Sequence, residues 1–152
     1  MNNSELEYVG FWARVGASII DGIITLVVTL PPLFIIYGDN YIKSDSFIEG
    51  PADFVISWVL PAVAVITFWV VKQATPGKIA IGAKIVDEKT GNAASLGQLI
   101  GRYLGYFVSS IPLCLGLFWV GFDRKKQGWH DKMAGTVVVR LKDRRPREVE
   151  FK

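Results

Sequence analysis

The sequence has little of the chemistry that metal proteins and many enzymes use. Its 152 residues include one cysteine, Cys114, and one histidine, His130. A single cysteine excludes a disulfide framework within this chain and any cysteine-cluster metal site, and a single histidine excludes every multi-histidine metal centre. Charged residues make up only 20% of the chain, against about 25% in a typical soluble domain. We therefore expect no metal site, no cofactor and no enzymatic activity.

Apolar residues are correspondingly frequent in the sequence. They account for 51% of the sequence, and the mean hydropathy is +0.33. They collect in three runs, at about residues 15–38, 54–71 and 96–122. A helix needs about 20 apolar residues to cross a hydrocarbon core about 30 Å thick. The sequence thus predicts a single membrane domain over residues 1–152, in the all-α class, with two transmembrane helices and a third segment.

The third segment contains Pro112, which removes a backbone donor and breaks a helix. Two arrangements are open. In the first, the segment forms a helical hairpin that enters and leaves on one side and is covered by protein, because exposed backbone is costly in lipid. Alternatively, it crosses the membrane once with a kink.

The charges between the runs predict the orientation. The loop 38–53 has one lysine and four acids, the stretch 72–102 has five cations and two acids, and the chain from Asp123 onward has ten cations and five acids. The positive-inside rule places the acidic loop outside and the N-terminus in the cytoplasm. A single crossing of the third segment would put the ten cations outside, so the rule favours the hairpin. The basic tail 142–152 is expected near anionic lipid headgroups on the cytoplasmic side of an inner membrane.

Two runs have the character of strands. Ile79, Ile81, Ala83 and Ile85 alternate with other residues, and a β-branched run follows at 136–141. Period-two alternation indicates a strand, and pairing two such runs would satisfy their edges. We therefore predict a small cytoplasmic β ribbon that pairs about 78–87 with 136–141.

Polar residues lie on one face of the first helix. They recur at spacings of three and four, which keeps them on one side of a helix; they are Arg14, Ser18, Asp21, Thr25 and Thr29. Asp21 lies roughly 9 Å beyond Val15 along the axis. A charge there costs about 3 kcal/mol and marks an ion or proton path by default.

Asp21 therefore needs a partner or a function. Arg102, at the start of the third segment, is the best candidate partner, followed by Lys78 and Arg14. Two interpretations stay open. In one, Asp21 belongs to a buried ion pair that fixes helix packing; in the other, it is an ion or proton site.

Three blocks of sequence resemble the RDD family of small membrane proteins. They are Gly10-Phe11-Trp12-Ala13-Arg14 with Asp21, Thr75-Pro76-Gly77-Lys78 through Gly91, and Gly128 through Val139 with Asp131, and Arg102 matches a further arginine of the family. The resemblance covers about residues 8–140. It implies that Arg14, Asp21 and Asp131 are the arginine and two aspartates that give the family its name. It also implies a bacterial or archaeal inner-membrane protein, of a kind often proposed to move ions or small solutes.

Asp131 is expected to cap a helix or to pair with a cation such as Lys78, Lys132 or Arg124.

Two functions follow as hypotheses. The first is transport of a cation or small solute, coupled to protons through Asp21. The second is a membrane scaffold or subunit whose charges only fix packing. The candidate pathway or charge network consists of Arg14, Ser18, Asp21, Thr25, Lys78, Arg102 and Asp131.

The expected partners follow from the same features. The chain is expected to sit in a lipid bilayer. Nucleic acid is not expected as a partner, because the basic residues adjoin a membrane segment. The few membrane segments of one chain leave little room for a transport pathway. A pathway therefore predicts a homo-oligomer, most simply a symmetric dimer.

Overall fold

Two long apolar helical spans dominate the fold. The computed structural model of the protein describes residues 6–112 and 114–142. Helix α1 is Phe11–Tyr37, and the second span, Pro51–Ala80, is likewise long and apolar enough to cross a membrane. A one-turn helix, α2 (Asn40–Lys43), lies between them. Helical spans long and apolar enough to cross a membrane are therefore present at both predicted positions, each with a longer range than its apolar run.

The second span is not one regular helix. It consists of α3 (Pro51–Phe54), a π-helical turn (Val55–Val59), α4 (Leu60–Lys72) and α5 (Pro76–Ala80). Gln73 adopts a left-handed conformation and ends α4, which separates the short helix α5 from the rest.

The third segment is broken where Pro112 predicts. Helix α6 (Leu96–Ser110) begins at a Ser95–Gln98 capping box, which satisfies backbone donors at its start. After Pro112, Cys114 has a positive φ of 60°, and α7 (Leu115–Phe118) continues into a 3-10 turn, Trp119–Gly121. The two pieces are bent by 114°. The predicted break at Pro112 is confirmed.

A three-stranded antiparallel sheet joins distant parts of the chain. Strand β3 (Thr136–Leu141) lies between β1 (Leu6–Tyr8) and β2 (Ala83–Asp87). Ile85 pairs with Val138 at the centre of the β2–β3 ladder. The pairing of the middle stretch with the tail is confirmed. Strand β1 was not predicted, because its three residues are too few for an alternating pattern.

The predicted strand at 78–87 is wrong in its first part. Thr75 is extended, Pro76 occupies the first helical turn, and the amide of Ile79 donates to the carbonyl of Thr75 at 2.9 Å. Proline is preorganised for this position because its φ is already helical. Gly82, with a φ of 68°, ends the turn, and β2 begins only at Ala83.

The core lies between the sheet and the helices. Val9, Trp69, Ile85, Leu99 and Val138 are buried against one another. The last helix, α8 (Trp129–Ala134), precedes β3 and packs closely on α6. The basic tail predicted at 142–152 lies outside the described residues except for Lys142.

Candidate functional site

Asp131 joins two arginines that come from distant helices. An Arg14 guanidinium nitrogen lies 2.6 Å from one carboxylate oxygen of Asp131, and Arg102 donates to the other oxygen. Asp131 lies in the first turn of α8, where it also accepts the Gly128 amide at 3.1 Å. The side chains of Arg102 and Asp131 are fully buried. The predicted capping role of Asp131 is therefore confirmed.

Both arginines have further acceptors. Arg102 also donates to the Thr136 hydroxyl at 2.9 Å. Arg14 donates to the Val9 carbonyl at 3.0 Å and to the Lys126 carbonyl at 2.5 Å. Buried charges are tolerated when they are paired and hydrogen-bonded. This Arg14–Asp131–Arg102 network therefore connects the start of α1 to α6, α8 and β3.

The predicted Asp21–Arg102 pair is wrong. Arg102 lies on the side of α6 that faces α8, so it pairs with Asp131 instead. Arg14, another predicted partner of Asp21, also pairs with Asp131. Sequence spacing placed these charges on the right helices, but it carried no information about which helix faces each of them.

The predicted cationic partners of Asp131 are also wrong. They were Lys78, Lys132 and Arg124. Lys132 instead lies 2.6 Å from Asp123, and the two arginines already occupy both carboxylate oxygens of Asp131.

Asp21 is held by neutral donors. The Thr75 hydroxyl donates to one carboxylate oxygen at 2.5 Å, and the Gly77 amide donates to the other at 2.7 Å. Within residues 6–112 and 114–142, no cation lies within salt-bridge distance of this carboxylate. Asp21 therefore does not form the ion pair that a packing role predicts.

Glycine at position 77 permits this contact. A Cβ atom there would lie 2.0 Å from the Ala17 carbonyl oxygen and 3.0 Å from the Asp21 Cγ. A side chain would therefore push α5 away from α1, and the Gly77 amide would move away from Asp21.

Lys78 is buried without an ion-pair partner in the described part of the chain. Lys78 is only 6% exposed, and its ammonium makes one long hydrogen bond of 3.4 Å to the Thr75 hydroxyl. Thr75 thus links Asp21 and Lys78. These contacts come from the sequence motif Thr75-Pro76-Gly77-Lys78, of which only Lys78 belonged to the predicted strand at about 78–87.

Two cavities meet at Lys78. The first, which we call the Asp21 cavity, has a volume of about 330 Å³ and is lined by Ser18, Asp21, Val65, Trp69, Thr75, Lys78, Tyr103, Tyr106, Phe107 and Ser110. The second, which we call the His130 cavity, has a volume of about 540 Å³ and is lined by Phe11, Arg14, Val15, Ser18, Ile19, Lys78, Tyr106, Cys114, Leu117, Phe118, Val120 and His130. Ser18, Lys78 and Tyr106 belong to both.

The predicted site residues therefore separate into two groups. Ser18, Asp21 and Lys78 line the Asp21 cavity. Arg14, Arg102 and Asp131 form the buried network. Thr25 belongs to neither: its hydroxyl donates to the Asp21 carbonyl at 2.8 Å, and its residue is exposed. Tyr106 and Thr75 were missed, because nothing in their sequence spacing distinguishes them from ordinary core or turn residues.

His130 is buried beside the cations. Its ring stacks on Tyr106 at 4.0 Å between centroids, and neither ring nitrogen has a hydrogen-bond partner among the described residues. Burial, followed by the positive charges of Arg102, Arg14 and Lys78, lowers the pKa of His130 to about 2. The imidazole is therefore neutral at physiological pH.

Comparison with known proteins agrees with the sequence motifs. The sequence profile of the RDD family matches residues 8–135. The chain is 32% identical over 146 residues to the uncharacterized protein YxaI of Bacillus subtilis, covering 86% of this chain and 95% of that protein. No solved structure matches the chain significantly.

Other relatives match over shorter stretches. The uncharacterized protein RP437 of Rickettsia prowazekii is 45% identical over 75 residues, which cover 49% of this chain and 41% of that protein. The proline-rich antigen of Mycobacterium leprae is 32% identical over 63 residues, or 41% of this chain and 25% of the antigen. The chain thus spans less than half the length of these two relatives.

Proposed function

This chain belongs to the RDD family, and from the surroundings of Asp21 we propose that it moves a small cation across a membrane in exchange for protons. The observation that carries the proposal is the environment of the carboxylate. Asp21 lies in a candidate membrane span, lines a cavity, and is held by a hydroxyl and an amide rather than by a cation. A carboxylate so placed has a free charge to offer to a cation or a proton.

The chemistry of the Asp21 cavity supports this role. Each carboxylate oxygen has two lone-pair positions, and each uses one in the contacts described above. The hydroxyl groups of Ser18, Thr75 and Ser110 also line the cavity. Oxygen atoms are the ligands that hard cations prefer.

Proton exchange follows from competition for one carboxylate. A cation binds the ionised form of Asp21, so its binding releases a proton when the carboxyl group is protonated beforehand. Lys78 lines the same cavity without forming an ion pair with Asp21. We propose transport rather than an enzymatic role.

The sheet supports the topology that the charges predict. Strand β1 precedes the first span, β2 follows the second, and β3 follows the broken third segment. Because β3 hydrogen-bonds to both other strands, all three belong on one side of a membrane. We therefore propose two complete crossings, a third segment that enters and leaves on the cytoplasmic side, and an acidic loop outside. The proposed location is the inner membrane, with a symmetric dimer as the assembly.

Cation flux into proteoliposomes tests the proposal. Purified protein is reconstituted with a pH-sensitive dye inside, and gradients of sodium, potassium and lithium are imposed in turn. We expect at least one cation to drive a change in internal pH, and we expect Asp21→Asn to reduce that rate at least tenfold. Asp45→Asn, a matched change in an exposed loop residue, should leave the rate unchanged. Equal rates for the two variants would contradict the proposal.

A scaffold is the second candidate, and the Arg14–Asp131–Arg102 network favours it. Buried ion pairs of this kind fix helix packing without any transported ligand. The same assay separates the two, since a scaffold predicts no cation-driven pH change for the unaltered protein with any of the three cations.

A further inference from the structure

The His130 cavity combines apolar walls with a cationic end. Its walls include Phe11, Val15, Ile19, Leu117 and Phe118, and its polar end is formed by Arg14, Lys78 and His130. A cavity of about 540 Å³ is within the usual range for a small-ligand site, where apolar walls surround a few polar groups.

The charges that line this cavity or lie next to it do not balance. Arg14, Arg102 and Lys78 carry three positive charges, and Asp21 and Asp131 carry two negative charges, counted at their formal values; all except Asp21 are buried. One positive charge is left in excess. A ligand that balances this cluster is therefore an anion.

Several donors at the cavity remain available to such an anion. The Lys78 ammonium, with three donors, makes one hydrogen bond of 3.4 Å. His130 is 3% exposed, and its ring nitrogens bond to nothing in residues 6–112 and 114–142. Buried polar groups are normally hydrogen-bonded, so two such groups lining one cavity indicate a ligand.

The cavity also has a favourable depth for a lipid. Its α1 residues run from Phe11 to Ile19, which is about 12 Å along a helix axis. Phe11 begins the first membrane span, whereas Ile19 lies two turns inside it and is 57% exposed. A headgroup phosphate at Arg14 and Lys78 would therefore leave an acyl chain beside Ile19, where lipid is expected.

We propose that the His130 cavity binds a glycerophospholipid with a net-negative headgroup, its phosphate bound by Lys78 and Arg14 and its acyl chain lying along the apolar wall. This site is the His130 cavity rather than the Asp21 cavity, although the two share Lys78, and lipid binding is measured without any transport assay. A zwitterionic lipid brings a second positive charge to a cluster that already has one in excess, so the site discriminates against it.

Lipid-dependent thermal stability in a neutral detergent tests the proposal. The delipidated protein is titrated separately with dioleoylphosphatidylglycerol, dioleoylphosphatidylcholine and inorganic phosphate. A ligand that binds only the folded state raises the melting temperature in proportion to its affinity. We expect saturable stabilisation by phosphatidylglycerol at one lipid per chain and at least tenfold weaker binding of the other two ligands.

Two variants locate the site. Lys78→Met keeps the length of the side chain and removes its charge, and we expect about a tenfold loss of affinity for phosphatidylglycerol, as for one charged hydrogen bond. Lys72→Met is the control, because Lys72 is an exposed cation at the end of α4. Ile19→Trp fills the apolar wall from an exposed position, and it tests the site without altering a buried charge.

Equal stabilisation by the two lipids would overturn the proposal, as would the same affinity for inorganic phosphate. If Lys78→Met does not fold, Ile19→Trp decides the matter: unchanged phosphatidylglycerol affinity in that variant excludes the cavity. Asp21→Asn flux is a separate readout, so failure of one proposal leaves the other intact.

Discussion

Asp131 lies 117 positions from Arg14 in the sequence, yet one of its carboxylate oxygens is 2.6 Å from the Arg14 guanidinium. The same carboxylate also accepts a hydrogen bond from Arg102. Two of the three residues that name the family are therefore in direct contact, and the third, Asp21, stands apart from them. This separation agrees with a packing role for Asp131 and supports the proposal that Asp21 binds a cation.

Removing the charge of Asp131 should destabilise the fold strongly. Asp131→Asn leaves two buried guanidinium groups without a counter-ion, and breaking a buried pair costs about 3–5 kcal/mol. Asp123→Asn is the matched control, because its partner Lys132 is 43% exposed in its side chain and exposed pairs contribute about 0–1 kcal/mol. Unfolding in mixed micelles measures both, and equal losses would contradict the packing role.

A side chain at position 77 should displace α5 from α1. Gly77→Ala places a Cβ against the Ala17 carbonyl oxygen, and overpacking of this kind costs about 1–3 kcal/mol. Gly101→Ala is the control: it lies within α6 with nothing within 4 Å of a new Cβ, and alanine favours a helix by about 0.5–1 kcal/mol over glycine. We expect melting temperatures to shift in opposite directions, and a neutral Gly77→Ala would show that the contact is not tight.

His130 should not titrate at physiological pH. It is the one histidine in the chain, so its NMR signal is unambiguous, and a folded-state pKa of about 2 predicts constant imidazole shifts between pH 5 and 8. The unfolded imidazole has a pKa of about 6.5, so the unfolded state takes up the proton first. The stabilising effect of the neutral ring is present above about pH 6.5 and is lost as the pH falls from there. A titration midpoint near neutrality would contradict this burial.

How far the sequence predicts the structure differs between elements. The membrane spans were predictable because lipid demands long apolar runs, and the break at Pro112 because proline cannot continue a helix. Strand β1 was not, because three residues carry no periodicity; it is fixed by its register with β3, where Glu7 pairs with Arg140.

The sequence predicts which residues belong to the site, but not which of them form ion pairs with one another. The helical spacing of Arg14, Ser18 and Asp21 identified the polar face of α1. It could not show that Arg14 turns toward Asp131, because that contact depends on how α8 packs against α6. Lys78 was misjudged for another reason: isoleucine alternation imitated a strand where Pro76 starts a helical turn.

Labelling of single cysteines on intact cells tests the topology. Single cysteines are introduced in a Cys114→Ser background at three exposed positions. Ser46 lies in the first loop, Lys89 follows β2, and Arg124 follows the third segment. An impermeant reagent added outside should label position 46 alone. Labelling at position 124 from outside would restore a single crossing of the third segment. A cysteine at Glu148, outside the described residues, extends the test to the tail.

The most direct test of the account compares Asp21→Asn with Asp131→Asn in both melting temperature and cation-driven proton flux. Asp21→Asn loses one of two hydrogen bonds to neutral donors, which costs about 1–2 kcal/mol, so the protein should remain folded while its flux falls at least tenfold. Asp131→Asn should instead lose stability first. Undiminished flux in a stable Asp21→Asn protein, or a loss of stability in it as large as that of Asp131→Asn, would contradict the assignment of Asp21 to the transported cation.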